Sequence, residues 1–294
     1  EIVLVTGVQT CALPISQGGL IDSGAALVIQ AMTLGNAGGT INAQQGLSFT
    51  GTALDNTGGN LVGNAAVTLD LLGALTNTNG KLASVGPLRV QRSTQIDNQG
   101  GQLASQGLMT LLTGGLDNRN RGTVAANDLL TLTTPGALQN SADGLIYSQT
   151  GDLNIQAANL ANAKGTLQSQ GALTVITGGD IDNQSGRIIA KAGDLSINAN
   201  NLDNRGGVLS SLQAAFTTHL TGVLKNGYDL NNNRQGGVTQ AQRLNLTALG
   251  GIDNYGGRVS AQSGDAIITT GNFDNRNGGL YAKGKINVDR KSVV

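Results

Sequence analysis

LDNTGGNLVGNAAVTLDLLGALTN, residues 54–77, holds one full cycle of a pattern that fills the chain. An aliphatic residue, Leu54, is followed by Asp55-Asn56 and the pair Gly58-Gly59. Leu61 comes next, then the alternating pair Val67 and Leu69, and at Leu75 the phrase begins again. The clearest other copies of the corner phrase are IDNQGG (96–101), LDNRGG (202–207) and IDNYGG (252–257), with looser ones such as LGNAGG (34–39), LTNTNG (75–80), LANAKG (160–165) and IDNQSG (181–186). A fixed period marks a repeat architecture.

Asn is the marker that never drops out. It stands at Asn36, Asn56, Asn77, Asn98, Asn118, Asn140, Asn162, Asn183, Asn204, Asn226, Asn254 and Asn275, with successive spacings of 20, 21, 21, 20, 22, 22, 21, 21, 22, 28 and 21. Two residues before each Asn there is Leu, Ile or Phe. An aliphatic usually follows five or six residues after it, then an alternating pair such as Leu88/Val90, Leu173/Val175, Leu195/Ile197 or Leu244/Leu246. Alternation at period two means strands with one buried face. Three such strands per repeat leave no room for a helix. The spacing therefore predicts an all-β fold, a right-handed single-stranded parallel β-helix with coils of about 21 residues and roughly 12–13 coils over residues 17–289. At about 4.8 Å per coil the rod is on the order of 60 Å long.

Stacking explains why one residue type recurs. Equivalent positions of successive coils form columns, and an inward Asn satisfies itself by bonding to the amides above and below. The Gly pair is expected to supply the positive φ of a sharp corner. The preceding Asp residues (Asp55, Asp97, Asp117, Asp182, Asp203, Asp253, Asp274) are expected to face solvent, screened by Arg119, Arg187, Arg205, Arg258 and Arg276. Corners are expected to be short and uniform in eleven of twelve coils. The 28-residue interval puts an enlarged corner loop at 227–235, GYDLNNNRQ.

Composition agrees with a thin aliphatic interior. Of 294 residues 45 are Gly and 3 are Pro, Trp is absent, 2% are aromatic and 12% charged, against about a quarter charged in ordinary domains. The 39% hydrophobic content and net charge of +0 do not fit the signature of disordered chains. Eighteen basic residues offset eighteen acidic ones, so nothing draws nucleic acid or an anionic membrane, and no apolar run is long enough to span a bilayer. One Cys forms no internal disulfide and does not report the redox compartment.

Residues 1–16, EIVLVTGVQTCALPIS, share nothing with the repeat. They resemble translated adapter sequence, as does the terminal RKSVV (290–294), and both are expected to be non-native tails outside the fold. A signal peptide is the weaker reading, because no basic stretch precedes the apolar one. No polar cap closes the repeats, so the ends read as cuts through a longer fibre.

The repeated aliphatic-Asp-Asn-x-Gly-Gly phrase resembles the haemagglutinin repeats of filamentous-haemagglutinin-like exoproteins, and the resemblance covers 17–289. It implies a large Gram-negative surface filament, secreted through an outer-membrane two-partner (type Vb) transporter. In that setting the repeats form the stalk of an adhesin or of a contact-dependent growth inhibition effector, with a host or target-cell surface receptor as partner and roles in adhesion, haemagglutination, biofilm and virulence.

The residues themselves suggest few sites. Catalytic, cofactor and metal residues are expected to be none. The 227–235 loop is the one candidate receptor or glycan contact, through Tyr228, Asp229 and Arg234. Its Asp229, Asn231 and Asn233 imitate the start of a Ca²⁺ loop, but Arg234 stands where that motif needs Gly and Gln240 where it needs Glu. His219 has no metal-sharing partner and reads as surface. Tyr147, Tyr255 and Tyr281 are too scattered to form a stacking platform. A β-helical polysaccharide lyase is the enzymatic rival, which would need clustered carboxylates in a groove under long loops. Calcium-binding nonapeptide rolls are excluded by the period.

Overall fold

A computed structural model describes residues 18–290 and the backbone of Leu13–Pro14. All secondary structure among them is β, thirteen strands of each of three kinds, joined only by parallel pairs. One kind precedes each Asn, a second follows it, and a third carries the alternating aliphatic pair. The expected parallel β-helix is thus present, with its period of about 21 residues.

Two compact units divide the chain, 1–139 and 140–294. In the first, the strands before the Asn include Ala53–Asp55, Ala74–Thr76 and Gln95–Asp97, and like meets like in the register: Leu54 beside Leu75, Leu75 beside Ile96, Ile96 beside Leu116. Leu61, Leu82 and Leu103 align on the second strands, and Val67, Leu88 and Met109 on the third. In the second unit, Ile181, Leu202 and Leu224 form the first column, while Leu173, Leu195, Phe216 and Leu244 form the third. Most of these side chains are 0% exposed, so each coil buries about four aliphatics. At roughly 1.5–3 kcal/mol for each fully buried large aliphatic, these columns are the main source of stability.

Most second strands end on a buried small residue, which the period alone does not reveal: Ala43, Gly63, Ser84, Ser105 and Ala126 in the first unit, Ser148, Ser169, Ala190 and Ser211 in the second. Beyond it the chain bends sharply toward the third strand. The serines use that bend: Ser84 Oγ donates to Gly86 O at 2.7 Å and Ser169 Oγ to Gly171 O at 2.9 Å.

Of the two expected tails, the backbone of Leu13–Pro14 pairs in parallel with Leu34–Gly35, and Arg290 ends the strand Ile286–Arg290. The remainder of those segments lies outside the described residues. No helix among the described residues is long and apolar enough to cross a membrane.

Candidate functional site

The Asn corner is a buried polar structure repeated through the described residues. Asn56 shows the rule: its backbone N–H donates to Thr76 O one coil on, at 2.7 Å. Its side-chain Nδ2 donates to Asn77 Oδ1 at 2.7 Å and to Lys81 O at 3.0 Å. Amide-to-amide steps of 2.6–2.7 Å run from Asn36 to Asn118, and again from Asn140 to Asn275. All twelve but Asn275 are 0% exposed. A buried amide left unpaired costs about 1–3 kcal/mol, so the column is stable only because it is continuous within each unit.

The two glycines do different jobs, which corrects the expectation that the pair jointly supplies positive φ. Only the first adopts it, as at Gly38, Gly58, Gly100, Gly206 and Gly256, and other corners place Asn79, Lys164, Ser185 or Asn277 there. A methyl built on Gly58 meets nothing within 4 Å. The second glycine has ordinary φ but no room: a Cβ on Gly59 would collide with the carbonyl oxygen of Asn36 and lie 2.7 Å from Asn56 Oδ1. Its N–H closes the turn onto Asn56 O at 3.0 Å.

The recurring Asp residues are more than a solvated row. In all seven, Oδ1 accepts the backbone N–H two residues on, at 3.0–3.2 Å, which caps the turn as an Asx motif. Three of the five expected Arg partners pair within their own coil: Arg119 with Asp117, Arg205 with Asp203 and Arg276 with Asp274, at 2.6–2.7 Å. Arg187 and Arg258 instead begin second strands, exposed and outside these pairs. Burial pushes the Asp117 carboxyl up, and the Arg119 hydrogen bonds and charge more than offset it, leaving it below the usual range. Bonds from Arg276 hold Asp274 at about 2.

Corner length varies more than the spacing implies. The turns after Asn118 and Asn140 hold one extra residue, so Nδ2 reaches Gly122 O and Gly144 O four residues on. After Asn226 the closing glycine is Gly237, eleven residues away. Within this loop Tyr228 is half-buried and Arg234 exposed, but Asp229 is 4% exposed and turned inward, its Oδ2 accepting from Ser185 Oγ at 2.8 Å. Leu230, which carries no signal in the sequence, is 71% exposed in this loop. Tyr228 and Tyr255 meet edge to face with centroids 5.8 Å apart, because they lie one coil apart at the same corner.

His219 lies exposed on a third strand. No group of three His, Cys, Asp or Glu able to hold a metal occurs among the described residues. A shallow open groove of about 420 Å³ is bordered by Asp180, Asp182 and Asp203. Each carboxylate there is already engaged. Asp180 accepts from Asn200 and Asn201, and the Asn201 side chain in particular draws its pKa down. Asp182 accepts from Gln184, and Asp203 from Arg205.

A solenoid with one buried Asn corner repeated in every coil defines a β-solenoid repeat protein. Against known families, the haemagglutinin repeat matches residues 15–79, 73–142, 114–185, 184–215 and 219–277, and the chain belongs to that family. No curated protein and no solved structure matches it.

Proposed function

We propose that the chain is a stalk segment of a secreted bacterial surface filament: a stiff, non-catalytic spacer that holds an adhesive or toxic tip away from the cell. Haemagglutinin repeats in a β-solenoid fit a filamentous adhesin. The observation that carries the spacer reading is the corner itself. Asn, both glycines and the recurring Asp are all consumed in stacking and capping, so what the repeat preserves is the stacking of coils within each unit. Export through a two-partner transporter, biofilm formation and contact-dependent growth inhibition are the settings such a filament would serve.

The test is substitution by an unrelated solenoid. Replacing residues 18–290 within the surface filament by another β-helix of equal coil number should preserve adhesion or target-cell killing at the same reach. Loss of activity despite normal surface display would refute the spacer.

A second reading rests on Leu230. A large apolar side chain at 71% exposure, in the same loop as exposed Arg234, is open to direct contact with a receptor or glycan. Leu230→Ser with Arg234→Ala alters only the tip. A drop in host-cell binding of about tenfold supports recognition, and unchanged binding leaves the spacer alone.

A further inference from the structure

In a solenoid each coil ordinarily contacts only its neighbours. The insertion after Asn226 breaks that rule. Asp229 reaches back past the corner of Asn204 to Ser185, 44 residues earlier, in the corner of Asn183. Asn233 Nδ2 donates to Gly206 O at 3.0 Å, in the corner of Asn204. In the other direction the Tyr228 ring packs on Tyr255, in the corner of Asn254. Arg276, from the corner of Asn275, lies with its guanidinium 5.7 Å from the centroid of that same Tyr255 ring, while it grips Asp274.

The segment is also closed on itself. Asp229 N–H donates to Gln235 O at 3.0 Å, Arg234 N–H to Asp229 O at 2.7 Å, and Gln235 N–H to Asn233 Oδ1 at 2.9 Å. The neighbouring corners leave room for it. At the position where other coils carry Asn79, Lys164, Ser185 or Asn277, both flanking corners carry Gly. A Cβ on Gly206 would meet Asn233 Oδ1 at 2.5 Å and Asp229 Cβ at 2.7 Å. One on Gly256 would enter the Tyr228 ring.

We propose that residues 227–236 form a strap that fastens four successive corners, those of Asn183, Asn204, Asn226 and Asn254, into one cooperative unit, to which the Asn275 corner is coupled through the Tyr255 ring. Local opening of a solenoid proceeds coil by coil. The Asp229–Ser185 bond, which reaches beyond the adjacent coil, and the Asn233 and Tyr228 contacts to the flanking corners tie the opening of one corner to that of its neighbours. The strap is independent of what the filament carries at its tip.

The test is amide exchange read by mass spectrometry on the full chain. Deleting 228–235 leaves Asn226-Gly227-Gly236-Gly237, a corner of regular length, so the coil itself should persist. Exchange at 184–186 and at 276–278, corners that lie outside the shortened coil, should then rise by about tenfold or more. Asp229→Ala should loosen only 184–186, and Tyr228→Ala only 255–278. Tyr228→Phe, which keeps the ring, should behave as wild type. Should the deletion not fold, these point variants carry the test. Unchanged exchange at both distant corners, or a uniform rise along 18–290, would overturn the strap.

Discussion

The corner after Asn56 spans three residues to Gly59, and the corner after Asn226 spans eleven to Gly237. Yet the two end alike. Asn56 Nδ2 donates to Gly59 O at 3.4 Å, and Asn226 Nδ2 to Gly237 O at 3.2 Å. A Cβ on either closing glycine would collide with the carbonyl oxygen of the preceding Asn of the column, Asn36 or Asn204, and meet its own Asn Oδ1 at 2.7 Å. The chain therefore holds two points at each corner, the Asn and the closing Gly, and leaves the path between them free. That freedom is what lets a loop be inserted without disturbing the columns on either side, and it is why the enlarged corner could acquire contacts of its own.

The largest effect should come from the closing glycine, in both corners alike. Gly59→Ala and Gly237→Ala each drive a methyl into backbone, and should each cost about 3 kcal/mol or more by chemical denaturation. A mild Gly237→Ala would break the equivalence of the two corners. Next is Asn77→Leu, which leaves Asn56 Nδ2 and Asn98 Oδ1 without their amide partners; calorimetry should show a loss of about 2–3 kcal/mol. If the variant matches wild type, the ladder is dispensable. Gly58→Ala, beside the critical Gly59 but facing open space, should cost only about 1 kcal/mol, the strain of a left-handed residue. The ratio of the Gly58 and Gly59 effects measures how separate the two glycine roles are.

The smallest effect is electrostatic. Hydrogen bonds from Arg276 depress the Asp274 carboxyl to about 2 from a reference of 3.8. A depressed folded pKa stabilises above the reference value, and that contribution is lost as pH falls from about 4 to about 2. NMR titration of the Asp274 carboxyl should give a midpoint near 2 in wild type, rising toward the reference in Arg276→Gln. An unmoved midpoint would show that the pair does not form in solution.

Much of the fold is legible because stacking writes the same residue once per coil. Asn98, Leu103 and Leu88/Val90 each belong to a column, and a column announces itself as a period. Roles that share the corner's period but differ in geometry are harder to separate. Gly58 and Gly59 look alike in sequence, and only the approach of Asn36 O tells them apart. Asp117 reads as surface charge until its carboxylate is seen to cap the N–H of Arg119. The candidate loop is legible as an interruption, but not as an object. Asp229 reads as an exposed acid and is buried, while Leu230 reads as nothing and is the most exposed large apolar side chain described. A segment that occurs once leaves no period from which its contacts can be inferred.

By itself, then, the order of residues determined the period, the three strands of each coil, the aliphatic columns and the Asn ladder, since each is a local pattern repeated against its own copy. Tertiary structure alone decided which glycine is sterically irreplaceable, where Tyr228 meets Tyr255, and how Asp229 finds Ser185. Those contacts join unlike residues from different coils, and their partners become neighbours only after the chain has wound.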